Sequence, residues 1–317
     1  MKKSALQMLN RVCTSATAVS NARSHYQRLL SSSSSALVKL DMADEHVAKI
    51  TLSDPAHLNA LTVDMGEEFK AIIESVKQKA AVGQVRAVVL TGEGKAFSAG
   101  GDIHWLLERS ESDPASNEAT MLAFYARFLS IRSLPVPTIA AINGPAIGAG
   151  MGVAMACDSR IASPHAKVGF TFVGLGLHPG MGSTHFLPLV AGPAAAAKLL
   201  LSGRIVSGAV ASGAEYGAIV DCVEDMKSSN QKSDAAVEQP TNQDVVAMAV
   251  ARAREYAAAA PIAVQTAIAT LRAKGDFGLQ ASLQREAAAQ AICYASSDYR
   301  EGVLAIIEKR KPVFTGA

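Results

Sequence analysis

Residues 138–150, TIAAINGPAIGAG, join an apolar stretch to a glycine-rich turn, and this combination decides the fold. Residues 138–142 are almost continuously apolar, as expected of a strand that is buried on both faces of a parallel sheet. The glycines that follow permit a tight turn and let another group come close to the backbone. A helix is expected after the turn, and its first backbone N–H groups would have no partners within the helix.

A second turn of the same kind follows a predicted strand at residues 87–91. Residues 92–102 there read GEGKAFSAGGD. If two such turns meet, two outward-pointing N–H groups can converge and stabilise negative charge on a carbonyl oxygen. A glycine after a strand serves a simple tight turn equally well, so neither turn alone establishes a site. The spacing lacks the third glycine of a dinucleotide fingerprint and the lysine of a P-loop.

Periodicity elsewhere predicts an α/β protein. Residues 46–52 alternate apolar and polar residues, as a half-buried strand does. Thr62 is placed to cap a following helix, whose apolar face includes Phe69 and Ile73. Strands that alternate with helices predict a mainly parallel sheet with both faces covered.

The chain divides into four parts by composition. Residues 1–35 form a leader, residues 37–223 the α/β core and residues 224–244 a polar loop or linker. Residues 245–317 have a helical period throughout and predict a C-terminal helical subdomain, with breaks expected at Pro261, Gly275 and Gly278.

The leader has the composition of a mitochondrial transit peptide. It is rich in arginine and serine, including the serine run at residues 31–35, and no acidic residue precedes Asp41. Mitochondrial import favours a positively charged amphipathic segment, so cleavage between Arg28 and Ala36 and a matrix location are predicted. A disordered tail, or a glycosomal or cytosolic protein with such a beginning, stays open.

The bulk composition predicts a protein with a small ligand. The net charge is +2 and no basic run is interleaved with aromatic residues, so no nucleic-acid partner is predicted. The four cysteines have no paired spacing, which argues against a disulfide framework or a zinc site. No metal and no redox cofactor is implied. The apolar stretches considered are too short and too rich in glycine for a membrane span.

Four segments resemble signatures of the enoyl-CoA hydratase/isomerase (crotonase) superfamily, and the likeness covers residues 37–317. They are residues 57–61 (HLNAL), 95–103 (KAFSAGGDI), 138–158 and 299–314. The resemblance implies a ClpP/crotonase-like spiral of ββα units, with a C-terminal helical subdomain that serves oligomerisation. It also implies a homotrimer or a dimer of trimers and an acyl-CoA substrate, of which coenzyme A is a part rather than a separate cofactor.

The resemblance also assigns site residues position by position. The oxyanion donors would be the backbone N–H groups of Gly101 and Ala149. Positions along the path of the substrate and its coenzyme A would be Leu58, Ala60, Ala99, Asp102, Ile103, His104, Phe172, Lys309, Lys311 and Phe314. The last three of these residues fall in the tail that, in relatives, reaches the coenzyme A of a neighbouring subunit, and basic residues there suit phosphates. A solvated helix end explains the two lysines equally well. Asp102 is also expected to cap a helix.

The sequence departs from the family at the acid/base positions. Hydratases of this family use two glutamates, because hydration requires two proton transfers beside the substrate. By resemblance these glutamates would fall at Gly152 and Phe172. The aspartate of related hydrolases and dienoyl isomerases would fall at Gly180.

His178 is the candidate for a replacement acid/base, because imidazole titrates near neutral pH and this residue lies beside the missing positions. A histidine in such a loop more often binds a carbonyl and serves the structure. His185 and His104 are weaker candidates, and His104 is better placed as a ligand contact.

Three functions are therefore expected. The first is a hydratase or isomerase of acyl-CoA thioesters in fatty-acid or branched-chain metabolism that uses an unusual acid/base. The second is an acyl-CoA hydrolase or decarboxylase of the same fold. The third is a non-catalytic acyl-CoA-binding protein.

Overall fold

A computed structural model describes residues 36–222 and 242–317. The predicted leader and residues 224–241 of the predicted polar loop lie outside the described residues. The strands are β1 Val38–Asp44, β2 Val47–Leu52, β3 Ala87–Gly92, β4 Thr138–Ile142, β5 Ala146–Ile147, β6 Ser159–Ala162, β7 Lys167–Gly169, β8 Ile205–Ser207 and β9 Asp221–Cys222. The helices are α1 Val63–Ala81, α2 Ile103–Arg109, α3 Pro114–Phe128, α4 Ala149–Met155, α5 Ser183–Ser202, α6 Gly208–Ala211, α7 Asn242–Ala258, α8 Pro261–Gly275, α9 Leu279–Tyr294 and α10 Ser297–Ile307.

The main sheet has six strands in the order β1-β2-β3-β4-β6-β9. Strands β2, β3, β4, β6 and β9 pair in parallel, and only β1 is antiparallel to its neighbour. A second sheet of three strands has the order β5-β7-β8. The predicted parallel α/β sheet is confirmed, and the carboxyl ends of β3 and β4 lie side by side.

Both faces of the main sheet are covered, as the apolar strands predicted. Val88 and Leu90 of β3 point into the large core, whereas Ala87 and Val89 point into a second cluster on the opposite face. This division follows from the period of two along a strand. Helix α7 covers the second face with apolar residues such as Val245.

Helix α1 begins where the sequence predicts. The Thr62 side chain accepts a hydrogen bond from the backbone N–H of Met65 at 3.1 Å. Phe69 and Ile73 on the apolar face of α1 are fully buried.

The C-terminal region is helical, as predicted, and its helices begin and end near the expected residues. Helix α8 begins at Pro261 and ends at Gly275, and Gly278 precedes α9 in a left-handed conformation (φ +83°). Helix α7 begins at Asn242, inside the segment 224–244 that was predicted to be a loop.

Helix α5 is long and apolar enough to cross a membrane by length and composition alone. Core helices pass the same test. The backbone of α5 is broken at Gly192, and it contains Pro188 and Pro193. No continuous stretch of this helix therefore has the about 20 residues that a span requires.

A buried arginine joins α8 to the sheet. Arg272 donates to both carboxylate oxygens of Asp158 at 2.9 and 2.6 Å and to the backbone carbonyls of Arg132, Leu134 and Val136. These bonds use all five guanidinium N–H donors. Asp158 also accepts from the backbone N–H and the hydroxyl of Thr138 at 2.7 and 2.8 Å. The first residue of β4 and the C-terminal helices thus share one carboxylate.

This carboxylate should make the stability of the fold sensitive to acid. Burial raises the pKa of Asp158, but hydrogen bonds from Arg272 and Thr138 outweigh burial and leave the pKa below its ordinary value. A carboxyl with a depressed pKa stabilises the native state above its unfolded pKa, and that contribution is lost as the pH falls through the depressed value.

We expect Asp158→Asn to cost about 3–5 kcal/mol at neutral pH, because it leaves a buried guanidinium without its counter-charge. The difference in unfolding free energy between the parent and the variant should shrink as the pH is lowered from about 5 towards 2. Urea unfolding at several pH values measures this difference. A difference independent of pH would show that the carboxylate charge does not contribute to stability.

Candidate active site

The two glycine-rich turns meet at the carboxyl ends of β3 and β4. Ser98 pairs with Ala146 in a parallel bridge: the Ser98 N–H donates to the Pro145 carbonyl and the Ile147 N–H donates to the Ser98 carbonyl, both at 3.0 Å. A second bridge joins Gly101 to Leu61, on the other side of the same segment. Ser98 and Gly101 are thus each held by an isolated backbone bridge, one to the second turn and one to the loop before α1.

Glycine is required at the closest contacts between the turns. A Cβ atom at Gly100 would lie 2.7 Å from the Ile147 carbonyl oxygen and 3.6 Å from the Ala149 nitrogen. A Cβ atom at Gly150 would lie 2.7 Å from the Ser98 Cβ. Gly100 and Gly148 also have positive φ values of +96° and +53°, which side chains oppose.

The backbone N–H groups of Gly101 and Ala149 are both available as donors. Leu61 bonds to the Gly100 carbonyl and accepts from the Asp102 N–H, so the bridge does not use the Gly101 N–H. Ala149 is the first residue of α4, where an N–H has no partner within the helix. Within residues 36–222 and 242–317, neither N–H donates to another group.

Both residues lie on the wall of a cavity of about 440 Å³. The wall comes from five parts of the chain: the loop before α1, the first turn and α2, helix α3, the second turn, and residues 171–181 with the C-terminal helices. Apart from a few polar groups the wall is apolar, as is usual for a pocket that takes a small ligand.

Most of the residues assigned by resemblance are brought together here. Gly101, Ala149, Leu58, Ala60, Ala99, Asp102, Ile103, His104 and Phe172 all line the cavity. Leu58 and His104 are exposed and mark its mouth. The Asp102 carboxylate accepts from the Trp105 N–H at 2.8 Å and so caps α2, as predicted.

The predicted tail residues do not lie on the cavity wall of the same chain. Lys309, Lys311 and Phe314 are exposed. The tail folds back along α10 instead: the Val313 N–H donates to Glu301 at 2.9 Å, and the Ser297 N–H donates to the Ala317 carbonyl at 2.9 Å. The nearest approach of this end of the chain to the cavity is Ile306, which lines it.

The histidines are placed differently from one another. The His178 ring bonds to the Pro179 carbonyl at 2.7 Å and does not line the cavity, although its neighbour Leu177 does. His185 is buried and its ring bonds to the Gly275 carbonyl at 2.8 Å, which joins α5 to α8. The acid/base role of His178 stays a prediction.

Met181 occupies the space in front of Gly152. A Cβ atom at Gly152 would come within 2.8 Å of the Met181 Cβ and 2.9 Å of its Cγ. Met181 itself has a positive φ of +58° and lines the cavity. Gly152 in α4 is thus covered by Met181, whereas Phe172 forms part of the wall.

Three polar residues of the wall carry no signal in the sequence. Tyr125 on α3 and Gln290 and Tyr294 on α9 all line the cavity. Tyr125 lies 165 residues before Gln290 in the chain, and the packing of α9 against α3 brings these helices together. Burial raises the pKa of both tyrosines well above the ordinary value, so both hydroxyls keep their protons at neutral pH.

The architecture is a crotonase fold, and known structures share it. A crystal structure of an enoyl-CoA hydratase/isomerase from Pseudoalteromonas atlantica superposes with a TM-score of 0.70 at 28% identity, covering 88% of this chain and 100% of that one.

The family model for enoyl-CoA hydratase/isomerase matches residues 42–227. A probable enoyl-CoA hydratase of Bacillus subtilis is 33% identical over 275 residues, 86% of this chain and 96% of that protein. The probable enoyl-CoA hydratase EchA14 of Mycobacterium tuberculosis is 44% identical over 160 residues, and the match spans 60% of its length. The chain belongs to the enoyl-CoA hydratase/isomerase family.

The contact between Gly152 and Met181 can be tested by stability. We expect Gly152→Ala to cost about 1–3 kcal/mol, because an added methyl group in a packed site forces its neighbours to move. Met181→Gly in the same chain should recover at least about 1 kcal/mol of that cost, measured as a coupling energy in urea unfolding. Gly174→Ala is the control, since a Cβ there meets no atom within 4 Å. Additive effects of the two substitutions would contradict the contact.

Proposed function

We propose that this protein processes an acyl-CoA thioester by stabilising an enolate or oxyanion. The observation that carries the proposal is the pair of free N–H donors, Gly101 and Ala149, on the wall of one cavity. Two preorganised donors that bind a thioester oxygen stabilise the charge that develops on it. Family membership and the names of the relatives support the same class of substrate.

Among these reactions, hydration or isomerisation of an enoyl-CoA is the first candidate. Relatives that match along most of their length are named probable or putative enoyl-CoA hydratases. The only carboxylate side chain among the described residues of the wall is Asp102, which caps α2. Proton transfer would therefore need a group other than a glutamate, and His178 with a bound water is the sequence-based proposal.

Hydrolysis or decarboxylation of an acyl-CoA is the second candidate. By resemblance Gly152 and Phe172 stand at the positions of the two glutamates, and Met181 fills the space in front of Gly152. Both alternative reactions still require charge stabilisation by the same two N–H groups, but neither requires the pair of glutamates.

The role of the Ala149 N–H can be tested with little disturbance of the fold. Proline is well tolerated at the first residue of a helix, where its missing N–H is unused. We therefore expect Ala149→Pro to fold and to lower turnover by about 10²–10³-fold, the usual effect of removing one oxyanion donor. Ala149→Gly keeps the N–H and should keep most of the activity.

The measurement is turnover of a panel of enoyl-, 3-hydroxyacyl- and branched acyl-CoA esters, followed by enoyl absorbance and by thiol release, with thermal melting of each variant. Loss of enoyl absorbance would identify the first candidate and thiol release would identify hydrolysis. Binding of these esters without turnover would identify a non-catalytic acyl-CoA protein. Equal rates for Ala149→Pro and Ala149→Gly would contradict the assigned donor.

We also propose that the mature chain is a mitochondrial matrix protein that forms a trimer or a dimer of trimers. Exposed apolar residues on α8 and just after it, such as Ile262 and Phe277 (78% and 88% exposed), support association with another subunit. Import into isolated mitochondria, with cleavage before residue 37, tests the location. Light scattering of the trimmed chain tests the oligomeric state. A chain that stays uncleaved outside the organelle would overturn the matrix location, and a monomer would overturn the trimer.

A further inference from the structure

Three polar side chains interrupt the apolar wall of the cavity. Tyr125, Gln290 and Tyr294 are 2%, 1% and 1% exposed, so water hardly reaches them in this conformation. Around them the wall is apolar, with Met121, Phe124, Leu177 and Met181 as neighbours. Buried polar groups normally have hydrogen-bond partners, so the partners of these three residues decide what the cavity can accept.

The Tyr125 hydroxyl is fully used within the protein. It donates to the Gln290 side-chain oxygen at 2.7 Å. The Gln290 amide nitrogen in turn donates to the His178 carbonyl at 2.8 Å. An amide nitrogen carries two N–H donors, and the second one has no acceptor among the described residues.

The Tyr294 hydroxyl has only weak acceptors. One is the Met121 sulfur at 3.2 Å, a thioether and therefore a poor acceptor. The other is the Gln290 oxygen at 3.4 Å, which already accepts the stronger bond from Tyr125. Because burial keeps this phenol protonated, Tyr294 is a buried donor that still lacks a good acceptor.

Gly180 makes room for this arrangement. A Cβ atom at Gly180 would lie 2.5 Å from the Tyr125 hydroxyl oxygen and 2.5 Å from the Gln290 amide nitrogen. The polar residues on α3 and α9 can therefore approach the loop only because residue 180 has no side chain. Two incompletely satisfied donors are thus held in fixed positions on the cavity wall.

We infer that the cavity is built for an acyl-CoA whose acyl chain carries a hydroxyl or carbonyl oxygen, which accepts hydrogen bonds from the Tyr294 hydroxyl and the second N–H of Gln290. This inference rests on the proposed function, because it takes the thioester to be the ligand. A site with buried donors discriminates against a ligand that leaves them unpaired. An acyl chain without this oxygen is therefore the weaker ligand.

The test is isothermal titration with three C4 thioesters: butyryl-CoA, acetoacetyl-CoA and 4-hydroxybutyryl-CoA. Neither oxygenated ester carries the 3-hydroxyl group that a dehydration would remove, so binding is measured without that turnover. At least one oxygenated ester should bind about tenfold tighter than butyryl-CoA, the gain expected from one or two additional hydrogen bonds.

Tyr294→Phe should remove this gain, so that the oxygenated ester and butyryl-CoA bind the variant with similar affinity, because the hydroxyl that distinguishes them is lost. Tyr299→Phe is the matched control: the Tyr299 ring packs edge-on against Tyr294 at 4.8 Å, but its hydroxyl donates to the Leu106 carbonyl and it does not line the cavity. The control should retain the gain.

If a variant does not fold, the affinities of the three esters for the unmodified chain still test the preference for an oxygenated acyl chain. Equal affinities for all three esters would overturn the inference while leaving the proposed function intact. A gain that persists in Tyr294→Phe would also overturn the role of this hydroxyl. If no ester binds, butyryl-CoA included, the proposed function and this inference both fail.

Discussion

The backbone pairing of Ser98 with Ala146 is the interaction on which the site depends. Two hydrogen bonds of 3.0 Å fix the first turn against the second, and glycine at positions 100 and 150 lets the segments approach at backbone distance. Because β3 and β4 are adjacent parallel strands, their carboxyl ends bring both turns to one edge of the sheet, where α/β proteins commonly bind ligands. Gly101 and Ala149, whose N–H groups have no partner among the described residues, then lie on the wall of one cavity.

The C-terminal helices complete the cavity, and they are held by specific polar bonds rather than by apolar contact alone. The Glu286 carboxylate on α9 accepts from the backbone N–H groups of Gly182 and Thr184, both at 2.8 Å. Those groups lie at the start of α5, where donors lack partners within the helix. One turn further along α9, Gln290 binds the His178 carbonyl at 2.8 Å. The same helix thus fixes the loop 177–182 and supplies part of the wall, so the shape of the cavity depends on the packing of α9.

Features with a local signal were predictable from the sequence. The strand Thr138–Ile142 has the predicted bounds, Thr62 and Asp102 cap their helices, and the breaks around Gly275 and Gly278 separate α8 from α9. The oxyanion donors in the two glycine-rich turns and the residues around them were assigned by resemblance, and the structure places them on the wall of one cavity. These features depend on residues that are close in the chain or that belong to a recognisable motif.

The polar part of the wall had no such signal. Tyr125 and Gln290 are 165 residues apart, and each belongs to a helix whose sequence shows only which residues are apolar. Their meeting depends on how α9 crosses α3, which is a property of tertiary packing. The fold-back of the tail was missed for a similar reason, because Glu301, through Arg310 and the Val313 N–H, holds residues beyond α10 that have no periodicity of their own.

The packing around Met181 links the two halves of the wall. On one side its Cβ fills the space in front of Gly152, and on the other its backbone N–H approaches the Tyr125 hydroxyl and contributes to the environment of that phenol. Gly180, the preceding residue, is glycine because Tyr125 and Gln290 lie where a Cβ would be. Residues 152, 180 and 181 are therefore interdependent. A side chain at position 152 of α4 would have to displace Met181, and moving Met181 would disturb the surroundings of the Tyr125 hydroxyl. Helix α4 presents only backbone donors to the cavity, whereas α3 and α9 present the buried hydroxyl and amide groups, so the positions of these polar groups depend on how the two helices pack around Gly180 and Met181.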